Sequence, residues 1–143
     1  MCMYLNIGNS GFDSVRRSGF VDKTDTIAFM NSVLNTEHRY VCVTRARRFG
    51  KSITAKMLCA YYDQSCDSRA LFQDLKIAVA PMYEQNLNQY PVLYLDMTSF
   101  TARYHGEERV VECIQSAIAE ELQELYPSVE MKSGDDLMNM LVR

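Results

Sequence analysis

The stretch Val41–Leu58, VCVTRARRFGKSITAKML, constrains this chain more than any other. Its lead-in RYVCVT, Arg39–Thr44, is β-branched and almost continuously apolar, the pattern of a strand buried on both faces of a parallel sheet. After a short basic loop, ITAKMLCAYYDQ favours helix and places Ile53, Met57, Ala60 and Tyr61 on one face. Strand, glycine-bearing loop and helix in that order are the context of a phosphate-binding loop, G-x-x-x-x-G-K-[ST]. Gly50, Lys51 and Ser52 meet the end of that pattern, whereas Arg45 stands where its first glycine belongs.

The chemistry of such a loop assigns a task to each residue. Successive backbone N–H groups must converge on an anion at the N-terminus of the following helix. The candidate nucleotide-binding residues are therefore Arg47, Arg48, Phe49, Gly50, Lys51, Ser52 and Ile53. Gly50 permits close backbone approach, and Lys51 brings a point charge to the terminal phosphates. Ser52 offers a hydroxyl to Mg²⁺, which takes few protein oxygens beside water and phosphate. Arg45 is the departure, because the first glycine often supports a backbone conformation that bulky side chains resist.

A metal-ordering carboxylate is expected at the end of a neighbouring strand. In PVLYLDMTSF, Val92 to Leu95 read as a hydrophobic strand that ends on Asp96. Alone, this is an ordinary core strand ending at a turn; together with FGKS it makes Asp96, with Ser52, the candidate metal residue. The expected ligands are ATP, or another nucleoside triphosphate, and Mg²⁺. No catalytic residue is assigned: Met97 and Thr98 follow Asp96 where a water-polarising Glu would be sought, and no later strand carries a polar sensor.

At 143 residues, 48% hydrophobic and 23% charged, the chain has the composition of one globular domain, which excludes disordered and collagen-like classes. A net charge of -3 gives no general attraction to nucleic acids or anionic membranes. A nucleic-acid role would rest on Arg45, Arg47 and Arg48, a cluster explained more economically by the charge of a nucleotide. The five cysteines show no metal-binding or disulfide spacing. Cys42, in the expected buried strand, and Cys59, in the expected helix, read as packed small hydrophobes. With no signal-peptide or membrane-spanning run, a soluble, cytoplasmic protein without a membrane partner is expected. His38 and His105 read as solvated loop residues.

The remaining segments supply the frame. YLNIGNSGFDSVRRSGFVDKT, with Gly8, Gly11 and Gly19, reads as loops around short extended pieces. DKTDTIAFMNSVLNT sets Ile27, Met30, Val33 and Leu34 at helical spacing, with Asp22 or Thr24 as N-cap and Asn35 near the stop. Short helices are expected in DSRALFQDLKIA and MYEQNLNQY. From Glu107, the apolar positions Val110, Val111, Ile114, Ala117, Ile118, Leu122 and Leu125 predict a long amphipathic helix halted by Pro127, and another begins at SGDDLMNMLVR. The expected fold class is α/β: a three-layer P-loop NTPase-like core with a parallel sheet, incomplete at the C-terminus, in one domain over residues 1–143.

RRFGKS at Arg47–Ser52, preceded by FVDKT at Phe20–Thr24 and followed by MLCAYYD and YLDMT, resembles the bacterial predicted AAA-ATPase-like family over nearly the whole chain. In that family the loop typically reads R-P-R-R-F-G-K-S, so the resemblance implies that Arg45 belongs to a working variant loop. Ala46 departs from the family's Pro and loosens the loop entry without removing a phosphate donor. Asp22, Lys23 and Thr24 read as a helix start, and the resemblance implies a place for them near the nucleotide base. It also implies a longer protein with a lid and often a nuclease-like C-terminal region, which, or other proteins, would be its partners. On that basis the chain is expected to be an N-terminal portion, inactive by itself.

Two functions of different class follow. In one, Lys51, Ser52 and Asp96 hold Mg-ATP in an AAA-like ATPase. In the other, a noncatalytic polyanion- or DNA-associated module uses its arginines and carries a vestigial P-loop.

Overall fold

In the computed structural model, which describes residues 4–104, 106 and 109–128, Arg39–Thr44 runs without regular structure. Tyr40 is 81% exposed and Val43 40% exposed, so the segment is not the doubly buried strand its apolar run predicts. A parallel strand exists only through ladder bonds to neighbours on its flanks, and none is formed by Val41–Thr44 among the described residues. The expectation of an α/β core with a parallel sheet is thus overturned. The described residues are helical, with only isolated bridges at Leu5–Leu93, antiparallel, and Asp63–Tyr90, parallel.

The chain divides into two compact units, one of Asn6–Val92 and the other of the described residues within Met1–Leu5 and Leu93–Arg143. The first contains α1 (Ser10–Arg17), α2 (Asp25–Val33), α3 (Lys51–Tyr62), α4 (Arg69–Phe72), a 3-10 helix (Lys76–Val79) and α5 (Tyr83–Asn86). α1 lies where loops were expected: Gly11 is unusually placed not for a turn but for contact, since a Cβ there would meet the Lys56 stem of α3 at 3.5 Å. Phe12, on the same helix, is buried and stacks on Phe72 with ring centroids 5.0 Å apart. Full burial of such a side chain contributes about 1.5–3 kcal/mol.

α3 is the central helix of this unit. It buries Met57, Cys59, Ala60 and Tyr61, three of them at spacings expected for one helical face, but Ile53 at its start remains 39% exposed. α2 buries Ile27 as expected and also Asn31, which the apolar periodicity hides. Asn31 earns its burial through hydrogen bonds: its amide donates to the Tyr61 hydroxyl at 3.1 Å and its carbonyl accepts from Tyr62 at 2.7 Å. Asn35 adopts φ 59°, the left-handed conformation that Asn tolerates after a helix end.

In the second unit, α6 (Met97–Arg103) and α7 (Val110–Leu125) enclose Phe100, Ile114 and Ile118. Val92–Leu95 forms no strand. Leu93 pairs with Leu5 as a lone bridge, and Tyr94 N–H donates to the Tyr4 carbonyl at 2.8 Å. α7 follows the predicted amphipathic pattern except at Val111, which is 68% exposed, and stops ahead of Pro127. Its inward face includes Glu121, whose carboxylate accepts the backbone N–H groups of Tyr4 and Leu5. The helix predicted from Ser133, and His105, lie outside the described residues.

Candidate functional site

The site is built around the turn that leads into α3. Phe49 N–H donates to the Ala46 carbonyl at 3.4 Å, and Arg48 and Gly50 both take positive φ, 67° and 82°. The Gly50 conformation belongs to the left-handed region, where a side chain is strained. Gly50 is also the N-cap residue of α3 and has no side chain with which to cap it. The first helical bond runs from Thr54 N–H to the Gly50 carbonyl at 2.9 Å. The N–H groups of Lys51, Ser52 and Ile53 consequently have no acceptor among the described residues, and they carry the positive end of the helix dipole.

Side chains around this turn add positive charge and a free hydroxyl. The Lys51 ammonium folds back over its own loop, donating to the Arg45 carbonyl and, at 3.2 Å, to the Ala46 carbonyl. Arg45, Arg47 and Arg48 are exposed, and none forms an ion pair among the described residues. Phe49 is 62% exposed, and Ser52 is exposed with no hydrogen-bond partner for its hydroxyl among the described residues. The sequence-predicted residues Arg47 to Ile53 are therefore brought together on one accessible turn and helix start, where the arginines have no ion-pair partner among the described residues, the N–H groups of Lys51, Ser52 and Ile53 have no acceptor among them, and Lys51 donates to carbonyls of its own loop. That donor set fits a polyphosphate, and the Ser52 oxygen fits one position of a Mg²⁺ whose remaining positions come from water and phosphate.

Asp96 belongs to the second unit and has a defined structural task there. As N-cap of α6 it accepts Thr98 N–H at 2.9 Å, Ser99 N–H at 3.5 Å and the Ser99 hydroxyl at 3.2 Å. The backbone hydrogen bond from Thr98 leads the effects that hold its carboxyl below the usual carboxylate range. No group of three or more His, Cys, Asp or Glu side chains among the described residues could hold a metal by itself.

One residue escaped assignment to the loop. A Cβ placed on Gly50 would stand 3.3 Å from the Lys23 ammonium nitrogen, and no other atom outside the chain neighbours comes within 4 Å. The signal lay in FVDKT, but its sequence pattern reads as a helix start. Asp22 indeed organises that start, its carboxylate accepting Thr24 N–H at 2.9 Å, the Thr24 hydroxyl at 2.6 Å and Lys76 N–H at 2.9 Å. Partial burial would raise the Asp22 pKa, but these hydrogen bonds outweigh it and hold the group below its ordinary value.

Among the described residues no helix is long and apolar enough to cross a membrane. No curated protein and no solved structure matches the chain. The family model described as "Predicted AAA-ATPase", AAA-ATPase_like, matches residues 6–143. The match takes in both FVDKT and the turn before α3, and the chain belongs to the AAA-ATPase-like family.

Proposed function

We propose that this chain binds ATP, as its Mg²⁺ complex, through the variant loop Arg45–Ser52. The observation that carries the reading is the uncapped start of α3: after left-handed Gly50, the Lys51, Ser52 and Ile53 N–H groups are left without protein acceptors. An anionic phosphate accepts those bonds and meets the helix dipole with the correct sign. Lys51 exchanges the loop carbonyls for phosphate oxygen, a stronger acceptor for an ammonium group. Ser52 supplies a neutral oxygen to Mg²⁺, which neutralises phosphate charge when bound. Arg47 and Arg48 add long-range attraction, and the Arg45 side chain is accommodated because it projects from an exposed position of the loop.

Equilibrium titration of labelled ATP, with and without Mg²⁺ and over a range of salt, tests this reading. Saturable binding that strengthens with Mg²⁺, declines only modestly with salt and is lost in Lys51→Ala is expected. Mg²⁺-independent binding that collapses with salt identifies general polyanion attraction instead.

A further inference from the structure

We propose that Lys23 is a second phosphate-binding cation of this loop, meeting the polyphosphate chain of the same nucleotide that Lys51 holds. The inference rests on the ATP-binding reading and adds to it a residue distant in sequence. Lys23 and Lys51 flank Gly50: one ammonium nitrogen lies 3.3 Å from the position of a Gly50 Cβ, and the other belongs to the next residue along the chain. The φ of 82° is what calls for glycine at position 50, and the Lys23 ammonium end lies in the space beside it.

Charge supports the same conclusion. None of Lys23, Arg45, Arg47, Arg48 and Lys51 belongs to an ion pair among the described residues. A cation without a protein counter-ion, beside N–H donors without acceptors, is suited to an anionic ligand. Lys23 differs from the three arginines in being partly buried on a pinned backbone. Its neighbours are tied on both sides, through Asp22 to Lys76 N–H and through the Thr24 hydroxyl, which accepts Ile77 N–H at 3.2 Å. Its own carbonyl accepts Thr26 N–H at 3.1 Å. FVDKT thus delivers a cation to the loop from a fixed support, and little ordering remains to be done when the anion arrives.

The test measures Mg-ATP affinity of the parent, Lys23→Met, Lys23→Arg and Lys51→Ala by equilibrium titration, with circular dichroism and thermal unfolding recorded for each. Lys23→Met keeps length and removes charge; it is expected to weaken Mg-ATP binding about tenfold, the scale of one charge-assisted hydrogen bond. Lys23→Arg is expected to recover most of that loss with an unchanged fold. Parent-like affinity in Lys23→Met, or an equal loss in the Met and Arg variants, overturns the proposal while ATP binding by the parent stands. A parent that binds no Mg-ATP overturns the ATP reading and this inference together.

Discussion

The Lys51 ammonium donates to the Ala46 carbonyl at 3.2 Å, so the charged end of this lysine closes over its own loop. This contact is exposed and holds no buried group in place. Exposed polar contacts of this kind contribute little to stability, whereas the same charge on a phosphate is hard to replace. Lys51→Ala is therefore expected to lose ATP binding by tenfold or more, on the order of one charge-assisted hydrogen bond, with an unchanged thermal midpoint. A variant that retains parent affinity removes Lys51 from the site.

Asp96 separates two roles that the sequence superimposes. Asn is as good an N-cap as Asp, and Ala is not. Asp96→Asn should leave urea unfolding at neutral pH close to that of the parent, while Asp96→Ala unfolds at lower urea. The Asp96 carboxyl is held below its ordinary range in the folded protein. Its contribution is therefore present above the unfolded pKa of about 4 and lost as pH falls through the lower folded value. An acid titration of stability should be shallower in Asp96→Asn than in the parent.

Thiol reactivity reports on the overturned strand. Cys42 is exposed on the irregular segment, whereas burial, aided by the Asp63 charge, pushes the Cys59 thiol up to about 11. Alkylation requires both access and thiolate. Mass spectrometry after brief iodoacetamide treatment at pH 8 should find Cys42 modified and Cys59 intact, with Cys59 reacting only on addition of denaturant. Protection of Cys42 equal to that of Cys59 would restore the buried-strand reading.

The same contrast shows what this sequence makes legible. Helices α2, α3 and α7 were readable because their apolar positions recur on a face that one segment defines by itself. Arg39–Thr44 and Val92–Leu95 were misread because an apolar run records side-chain character and not the neighbouring strand that a sheet requires. The candidate loop was traceable because Gly50, Lys51 and Ser52 are consecutive: the left-handed Gly50, the Lys51 charge and the Ser52 hydroxyl sit within one turn. Only the family resemblance pointed Lys23 toward the nucleotide, since Lys23, whose ammonium comes close to Gly50, lies far earlier in the chain. Asn31 and Glu121 break the apolar pattern of their helices, and their partners lie in other segments.

Glu121 offers a test of the second unit. Its carboxylate accepts Tyr4 N–H through both oxygens, at 3.0 and 3.1 Å, and Leu5 N–H at 3.1 Å. Hydrogen bonds to a charged group contribute about 1.5–3 kcal/mol. Glu121→Ala is expected to destabilise by about 2 kcal/mol and to release the Tyr4 and Leu5 amides to fast hydrogen exchange. Unaltered exchange at those amides would show that Glu121 does not hold them.

The aromatic network of the first unit gives a prediction in both sequence and pH. Tyr62 donates to the Asn31 carbonyl, Asn31 donates to Tyr61, and Tyr61 donates to the Tyr83 carbonyl at 2.9 Å. Asn31→Leu keeps approximate size but leaves the Tyr62 hydroxyl without its acceptor, while Tyr61 retains Tyr83. An unsatisfied buried hydroxyl costs about 1–3 kcal/mol; Tyr62 is only partly buried, so a loss at the low end, about 1 kcal/mol, is expected in urea unfolding followed by circular dichroism. Burial, the largest influence, pushes the Tyr61 hydroxyl up to about 12, and burial raises Tyr62 further still. A phenol whose folded pKa exceeds its unfolded value of about 10 binds its proton more tightly when folded. Its contribution is then complete below pH of about 10 and disappears as pH rises through the folded value. Stability should accordingly fall between pH 10 and about 12, in step with tyrosinate absorbance of the unfolded chain. A parent whose stability is flat across that interval, or an Asn31→Leu variant as stable as the parent, would show that the network does not hold the buried tyrosines in their protonated, hydrogen-bonded form.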